Sequence, residues 1–169
     1  MASKKPLNLV LRKMRTTDLD SYRSISVQCF GNERMHHYRA ARPHNLAEIE
    51  LYGGIVAEVD GQVVGFLLYM REHAFPDALY VSSVGVAKNY QGRGIGRAML
   101  RRIQRRLTRL PVAKIVLHVR EKNTGAIKLY RDLGFVKIGL HPWYYRDGAN
   151  AEVMEYAPPA VRRSAAARN

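Results

Sequence analysis

The chain has 169 residues, enough for one domain with a sizeable core, and 47% of them are hydrophobic, an ordinary share for a globular protein. No apolar run reaches the ~18–20 residues of a membrane helix, Met1 to Pro6 carries charge but no apolar signal core, and the single cysteine, Cys29, excludes an internal disulfide, so a reducing, cytoplasmic setting is expected. With 28 Lys and Arg against 14 Asp and Glu, the net charge of +14 favours polyanionic partners (nucleic acid, the ribosome, an anionic membrane surface or a phosphorylated cofactor) without choosing among them.

Asn8 to Met14 alternates as a first strand, with Leu9, Leu11 and Lys13 on one face. Thr16-Thr17-Asp18 starts a helix that runs to about Gln28 with Leu19, Tyr22, Ile25, Ser26 and Cys29 at helical spacing, and Gly31-Asn32 ends it. The pattern from Asn32 to Asn45 is poor. His36, His37 and His44 lie there without H-E-x-x-H spacing or a nearby cysteine, so no metal site is expected. Asn45 can cap a short helix through Leu51. Gly53-Gly54 then opens a hairpin: Ile55 to Val59 is a strand, Asp60-Gly61 is a type I′ turn signal, and Gln62 to Arg71 is the return strand.

Glu72 to Asp77 reads as a loop, and Leu79 to Val86 as a buried central strand. The helix from Gly94 to about Arg109 is strongly amphipathic. Ile95, Met99, Ile103, Leu107 and Leu110 form one stripe, and Arg97, Arg101, Arg102, Arg105, Arg106 and Arg109 crowd the rest, as a solvated outer face or a polyanion-docking face. Pro111 stops it. Lys114 to Val119 is a strand, and Asn123-Thr124 starts a helix with Ala126, Ile127, Tyr130 and Leu133 inward and Gly134 just past its end. Phe135 to Ile138 and Ala151 to Tyr156 are the last strands. This organisation gives a flexible N-terminus at 1–6, a single domain at 7–157 and a basic tail at 158–169 that is expected to be disordered.

The strand-to-helix passage Val84-Gly85-Val86-Ala87-Lys88-Asn89-Tyr90-Gln91-Gly92-Arg93-Gly94-Ile95-Gly96 carries the chemistry. Gly92, Gly94 and Gly96 let the backbone turn tightly and approach a ligand. The first-turn N–H groups and the positive end of the helix dipole suit a phosphate or pyrophosphate, with Arg93 and Arg97 adding charge. A P-loop would need a Lys-Ser or Lys-Thr pair after its last glycine, and a dinucleotide fingerprint would need a longer third interval; neither is present. A bare tight turn is the competing reading for the glycines alone.

The sequence Gln91-x-x-Gly94-x-Gly96 after a V-x-V strand resembles the signature of the GCN5-related N-acetyltransferase (GNAT) family, over about Leu7 to Tyr156 and most strongly from Tyr80 to Tyr145. The resemblance implies an α/β (α+β) fold with a mixed sheet of about seven strands, splayed at the central strand and flanked by about four helices. It implies acetyl-CoA as the cofactor, held by Val84, Gly85, Val86, Gln91, Gly92, Arg93, Gly94, Ile95, Gly96, Arg97, Asn123, Ala126 and Tyr130. Backbone N–H near Val84 to Val86 would hold the acetyl carbonyl, and Tyr130, in Asn123-x-x-Ala126-x-x-x-Tyr130, would protonate the departing thiolate. Tyr80 in a Y-x-x-x-[LV]-G strand and His118 in L-H-V match a subset of protein N-terminal acetyltransferases in which they deprotonate the acceptor amine through water. In that subset the segment matching Trp143 to Ala151 clasps the peptide, which assigns Tyr144 and Tyr145, with Phe30 and Tyr38, to the acceptor. Asn150 stands where the subset has an acid. The competing reading of this segment, an aromatic plug for the core, explains Trp143 better than it explains Tyr144 or Tyr145.

The reading that follows is transfer of acetyl to the free α-amino group of protein N-termini, with the ribosome or another polyanion as a partner of the basic surface. A GNAT enzyme acting on a lysine side chain or small amine is the second reading. A non-enzymatic nucleic-acid-binding protein is the third; it explains the charge but leaves Gln91 to Gly96, His118 and Tyr130 without a role.

Overall fold

The computed structural model describes residues 7–31, 53–72 and 75–159. The helix expected from Asn45 to Leu51, Tyr38, the three histidines of the 32–45 stretch and both chain termini lie outside the described residues. Among the described residues, seven strands and three α-helices follow in the expected order: β1 (Leu9–Lys13), α1 (Leu19–Phe30), β2 (Gly53–Val59), β3 (Gln62–Glu72), β4 (Phe75–Val86), α2 (Ile95–Leu107), β5 (Lys114–Arg120), α3 (Thr124–Asp132), β6 (Val136–His141) and β7 (Ala151–Tyr156). The strands hydrogen-bond as one mixed sheet in the order β1-β2-β3-β4-β5-β7-β6, with β4 and β5 parallel and the pairs β1–β2, β5–β7 and β6–β7 antiparallel.

Two boundaries differ from expectation. The stretch read as a loop from Glu72 to Asp77 is strand through Glu72 and strand again from Phe75. Pro76 is the second residue of β4, at the strand start where proline is accommodated, and the carbonyl of the next residue, Asp77, accepts from Ala113 N at 2.8 Å. β6 runs on to His141 because β7 offers it partners as far as Ala151.

The chain clusters into two compact units, Met1–Leu68 with Ser83–Met99 and Tyr69–Ser82 with Leu100–Asn169. In the first, Met14, Tyr22, Ile25, Val56, Phe66 and Leu68 form a core cluster in which Tyr22 meets Phe66 edge to face at 4.7 Å. Asp60 and Gly61 have φ of 51° and 80°, the two left-handed residues of a type I′ turn. Gly85 is a glycine because of packing: a Cβ there would stand 2.6 Å from the Phe66 ring.

Arg12 joins β1, the start of α1 and β2. It donates to Asp18 at 2.7 Å through each of two nitrogens and to Glu58 at 2.8 Å. Asp18 is buried, which by itself would raise its pKa, but the Arg12 fork and the Arg15 N–H outweigh burial and hold the carboxyl below its usual range. Arg12→Ala would strand that carboxylate; unfolding in urea should show a loss of about 2–4 kcal/mol, against the near-zero effect of losing an exposed pair such as Arg23–Asp20.

In the second unit β5 is almost wholly buried, with Ile115, Val116, Leu117 and Val119 each at most 5% exposed. α3 begins with the Asn123 side chain accepting from Ala126 N at 3.1 Å. It ends in a Schellman closure: Gly134 N donates to Arg131 O, Phe135 N donates to Tyr130 O, and Gly134 has φ 84°. That closure sets Tyr130 against Phe135, centroids 5.7 Å apart.

Candidate functional site

The glycine passage forms a cradle. Gly92 and Gly94 take φ of 71° and 81°, which L side chains rarely adopt, and no heavy atom lies within 4 Å of where their Cβ atoms would be. α2 starts immediately after them. Its first i→i−4 bond is Ala98 N to Gly94 O at 2.9 Å, so the N–H groups of Ile95, Gly96 and Arg97 precede the helical ladder. Open space beside left-handed backbone, a helix N-terminus and exposed Arg93 fit a pyrophosphate, and so fit coenzyme A. The three glycines are not equivalent: Gly96 is a residue of α2 and gives the turn none of its left-handed backbone. Gln91 ties the cradle to β4, its side-chain nitrogen donating to Val86 O at 2.9 Å. Arg93 lies over the Tyr90 ring at 5.5 Å.

β4 pairs with β5 from Ala78↔Lys114 to Val81↔Leu117, and the pairing recorded between them ends there, although β5 continues to Arg120 against β7. This is the splay expected at the central strand. Val84, Gly85 and Val86 lie on β4 beyond it.

On the second unit, register puts Tyr80, opposite Val116, on the same sheet face as His118, two residues on along β5. The Tyr80 hydroxyl is 3.0 Å from His118 Nδ1 and 3.1 Å from the Tyr144 hydroxyl. His118 stacks on Tyr144 at 4.5 Å with the planes 5° apart. Tyr80 is only 1% exposed, so the cluster stands on a rigid, buried base. His141, which the motifs did not single out, completes it: its ring is 5.7 Å from His118 and 5.0 Å from Tyr144. It closes β6, and its one sequence signal was a histidine three residues before the paired tyrosines.

Burial, and secondarily the His141 charge, push His118 down to about 4. Its imidazole is therefore neutral at pH 7. The unfolded chain takes a proton near pH 6.5 that the folded chain refuses until about 4, so this group makes stability fall as pH drops through that window. Thermal unfolding of the wild type should lose up to about 3 kcal/mol more between pH 7 and pH 4.5 than unfolding of His118→Gln does.

The 142–150 loop is knitted by its own polar groups. Trp143 N donates to the Asn150 side-chain oxygen at 3.1 Å, Tyr145 N to Ala149 O at 3.0 Å, and Ala149 N to Asp147 at 3.2 Å. The amide oxygen of Asn150 thus serves where a carboxylate was expected. Arg120 pairs with Asp147 at 2.5 Å and covers the Tyr145 ring at 4.2 Å, bracing the second loop tyrosine. Trp143 corrects the expectation of a core plug: it is 79% exposed at φ 55°, and its ring packs on Gly148, where a Cβ would stand 3.2 Å from it.

The structure thus brings Tyr80, His118, Tyr144 and Tyr145 together in one cluster, and sets the turn Gln91 to Gly94 directly before Ile95, Gly96 and Arg97, which open α2. Asn123, assigned to the cofactor, is the cap of α3, with Ala126 N as its partner. Tyr130 is 9% exposed and packed on Phe135. Phe30 is the last residue of α1, its ring 6.5 Å from that of Phe66. Among the described residues no group of three or more His, Cys, Asp or Glu could hold a metal ion, and no helix is long and apolar enough to cross a membrane.

A family model described as the acetyltransferase (GNAT) family matches residues 19–135. An N-alpha-acetyltransferase of Sulfurisphaera tokodaii is 30% identical over 162 residues, covering 90% of this chain and 95% of that protein. The N-alpha-acetyltransferase RimI of Mycobacterium tuberculosis is 40% identical over 119 residues, 68% of this chain and 67% of that one. Among solved structures, Arabidopsis thaliana Naa50 in complex with the bisubstrate analogue CoA-Ac-MVNAL superposes with a TM-score of 0.73 at 22% identity, covering 90% of this chain and all of that one, which shows the shared fold.

Proposed function

The chain belongs to the GNAT family and is an acetyl-CoA-dependent N-acetyltransferase, and from that premise we propose that its acceptor is the free α-amino group of a protein N-terminus. The observation that carries this is the make-up of the Tyr80–His118–Tyr144 cluster. Burial first and the His141 charge second are what shift His118, and the rings described around it are those of Tyr80, Tyr144 and His141. A polyamine or lysine acceptor is a cation that acidic side chains would have to hold. An α-amine, with a pKa near ~7.7–8.0, is substantially neutral at working pH and asks mainly to be oriented. The relatives named N-alpha-acetyltransferases support the same reading.

When bound, acetyl-CoA supplies a thioester-activated acetyl group. Gln91 to Arg97 and the N-terminus of α2 bind its pyrophosphate, and main-chain N–H groups of Val84 to Val86 orient the carbonyl. With neutral His118 in the tautomer that leaves Nδ1 unprotonated, the Tyr80 hydroxyl donates to Nδ1 and accepts from Tyr144, so the bonds run in one direction toward the imidazole. As the amine nitrogen bonds to carbon it becomes cationic, and its proton is then far more acidic than that of a free ammonium. A base as weak as His118 can take it, directly or through water and Tyr80. Tyr130 gives a proton to the departing sulfur. Tyr144 and Tyr145, with Phe30 and Tyr38, hold the peptide.

Thiol release from acetyl-CoA, measured with peptides of different free N-termini, with the same peptides blocked, and with spermidine, tests the acceptor. Turnover on free peptides that disappears on blocking is expected. Turnover of spermidine alone, or of blocked peptides at internal lysines, would overturn the reading.

A further inference from the structure

We infer that the outward face of α2 and the turn after it is a docking surface for the phosphate backbone of RNA. Arg101, Arg102, Arg105 and Arg106 lie within an arc of about 140° on the helix, four of its residues on from one another in two rows, and Arg109 extends one row past its end. All five are exposed, and none has an acidic partner among the described residues. Four cations elsewhere are paired, Lys114 with Asp77 and Glu155, Arg120 with Asp147, Lys128 with Asp132 and Lys137 with Glu152, whereas this helix gathers its unpaired arginines on one face. α2 contains no Asp, Glu or Lys at all. Each of its cations is a guanidinium, whose planar fork matches phosphate oxygens in pairs.

The same helix argues against an anionic membrane as the partner. A helix that lies on a bilayer inserts an apolar face. Here Ile95, Met99, Leu100, Ile103 and Leu107 are at most 2% exposed, spent on the core, and the outer face has nothing apolar to insert. What remains is a surface of charge and hydrogen-bond donors, the composition that backbone recognition of nucleic acid requires. The choice of RNA over DNA rests on the acceptor proposed above, because a protein N-terminus first becomes available beside ribosomal RNA. The surface is separate from the residues assigned to cofactor and acceptor, so docking leaves the chemistry unchanged and raises the local concentration of N-termini.

The test is fluorescence anisotropy of the full-length protein, without substrate, on a labelled RNA duplex, on a DNA duplex of the same sequence, and on vesicles containing phosphatidylserine. Binding to RNA should weaken about 10²-fold between 50 and 200 mM salt, as four or five phosphate contacts dictate. Arg101→Gln/Arg105→Gln/Arg109→Gln should weaken it at least tenfold at 100 mM salt. Arg71→Gln/Lys122→Gln/Arg131→Gln, an equal charge change elsewhere, should cost less than threefold. Equal losses in the two triple variants, preference for DNA or vesicles over RNA, or no salt-dependent binding would each overturn the inference. If the first variant fails to fold, Arg102→Gln/Arg106→Gln reads the same face. Acetylation of a free peptide, assayed on the same preparations, should be unchanged in every variant, so failure of docking and failure of the acceptor reading are seen separately.

Discussion

His118→Ala is expected to lower kcat on a peptide acceptor by about 10²-fold, with a smaller change in KM for acetyl-CoA. The imidazole is the neutral partner of the hydroxyl of a tyrosine that is almost wholly enclosed, and removing it takes away the bond that ties Tyr80 on β4 to β5. Tyr80→Phe should cost a similar factor. The double variant should cost little more than either single one, because two members of one hydrogen-bonded unit fail together. The pH profile gives an independent reading. With His118 at about 4, the acidic limb of kcat/KM should follow the acceptor amine at ~7.7–8.0 rather than an imidazole. A limb near 6.5 that vanishes in His118→Ala would show that the imidazole titrates in the working range and would refute the assignment.

The second large effect belongs to the cradle. Gly94→Val places a β-branched side chain at φ 81° and fills the space the loop leaves open. Strain of about 1–3 kcal/mol, added to the lost approach of phosphate, should raise the dissociation constant of coenzyme A by 10- to 100-fold in calorimetry. Circular dichroism should show the fold intact, since a Cβ at this position has no protein heavy atom within 4 Å. Unchanged affinity would remove the pyrophosphate from this turn.

The sequence was most legible where one local rule determined the outcome. Asp60-Gly61, Asn123 as a cap and Gly134 past α3 each carry their geometry in one or two residues, and the structure realises all three. The Tyr80–His118 pair was legible because both residues sit in strands whose alternation fixes the face they share. Legibility failed where a position depends on distant partners. Trp143 reads as core by its size, yet the hydrogen bonds of a nine-residue loop turn it outward. His141 belongs to the site only through the register of β6 on β7 and of β7 on β5, which no local pattern reveals. Gly85 enters the cofactor set only through the resemblance, and no local pattern reveals that a ring from β3 occupies the space its side chain would need.

That last arrangement leaves a mark on how the protein can vary over generations. Position 85 can acquire a side chain only if position 66 gives up its aromatic ring, and a ring reintroduced at 66 would demand a glycine again. A side chain at 85 cannot come first, whereas loss of the ring at 66 leaves a cavity that a side chain at 85 could then fill, so the two should drift as a coupled pair: lineages should seldom hold two large residues there. Since Gly85 is also a link of the strand assigned to the acetyl group, the tempo of change beside the chemistry would be governed by a phenylalanine buried in the core.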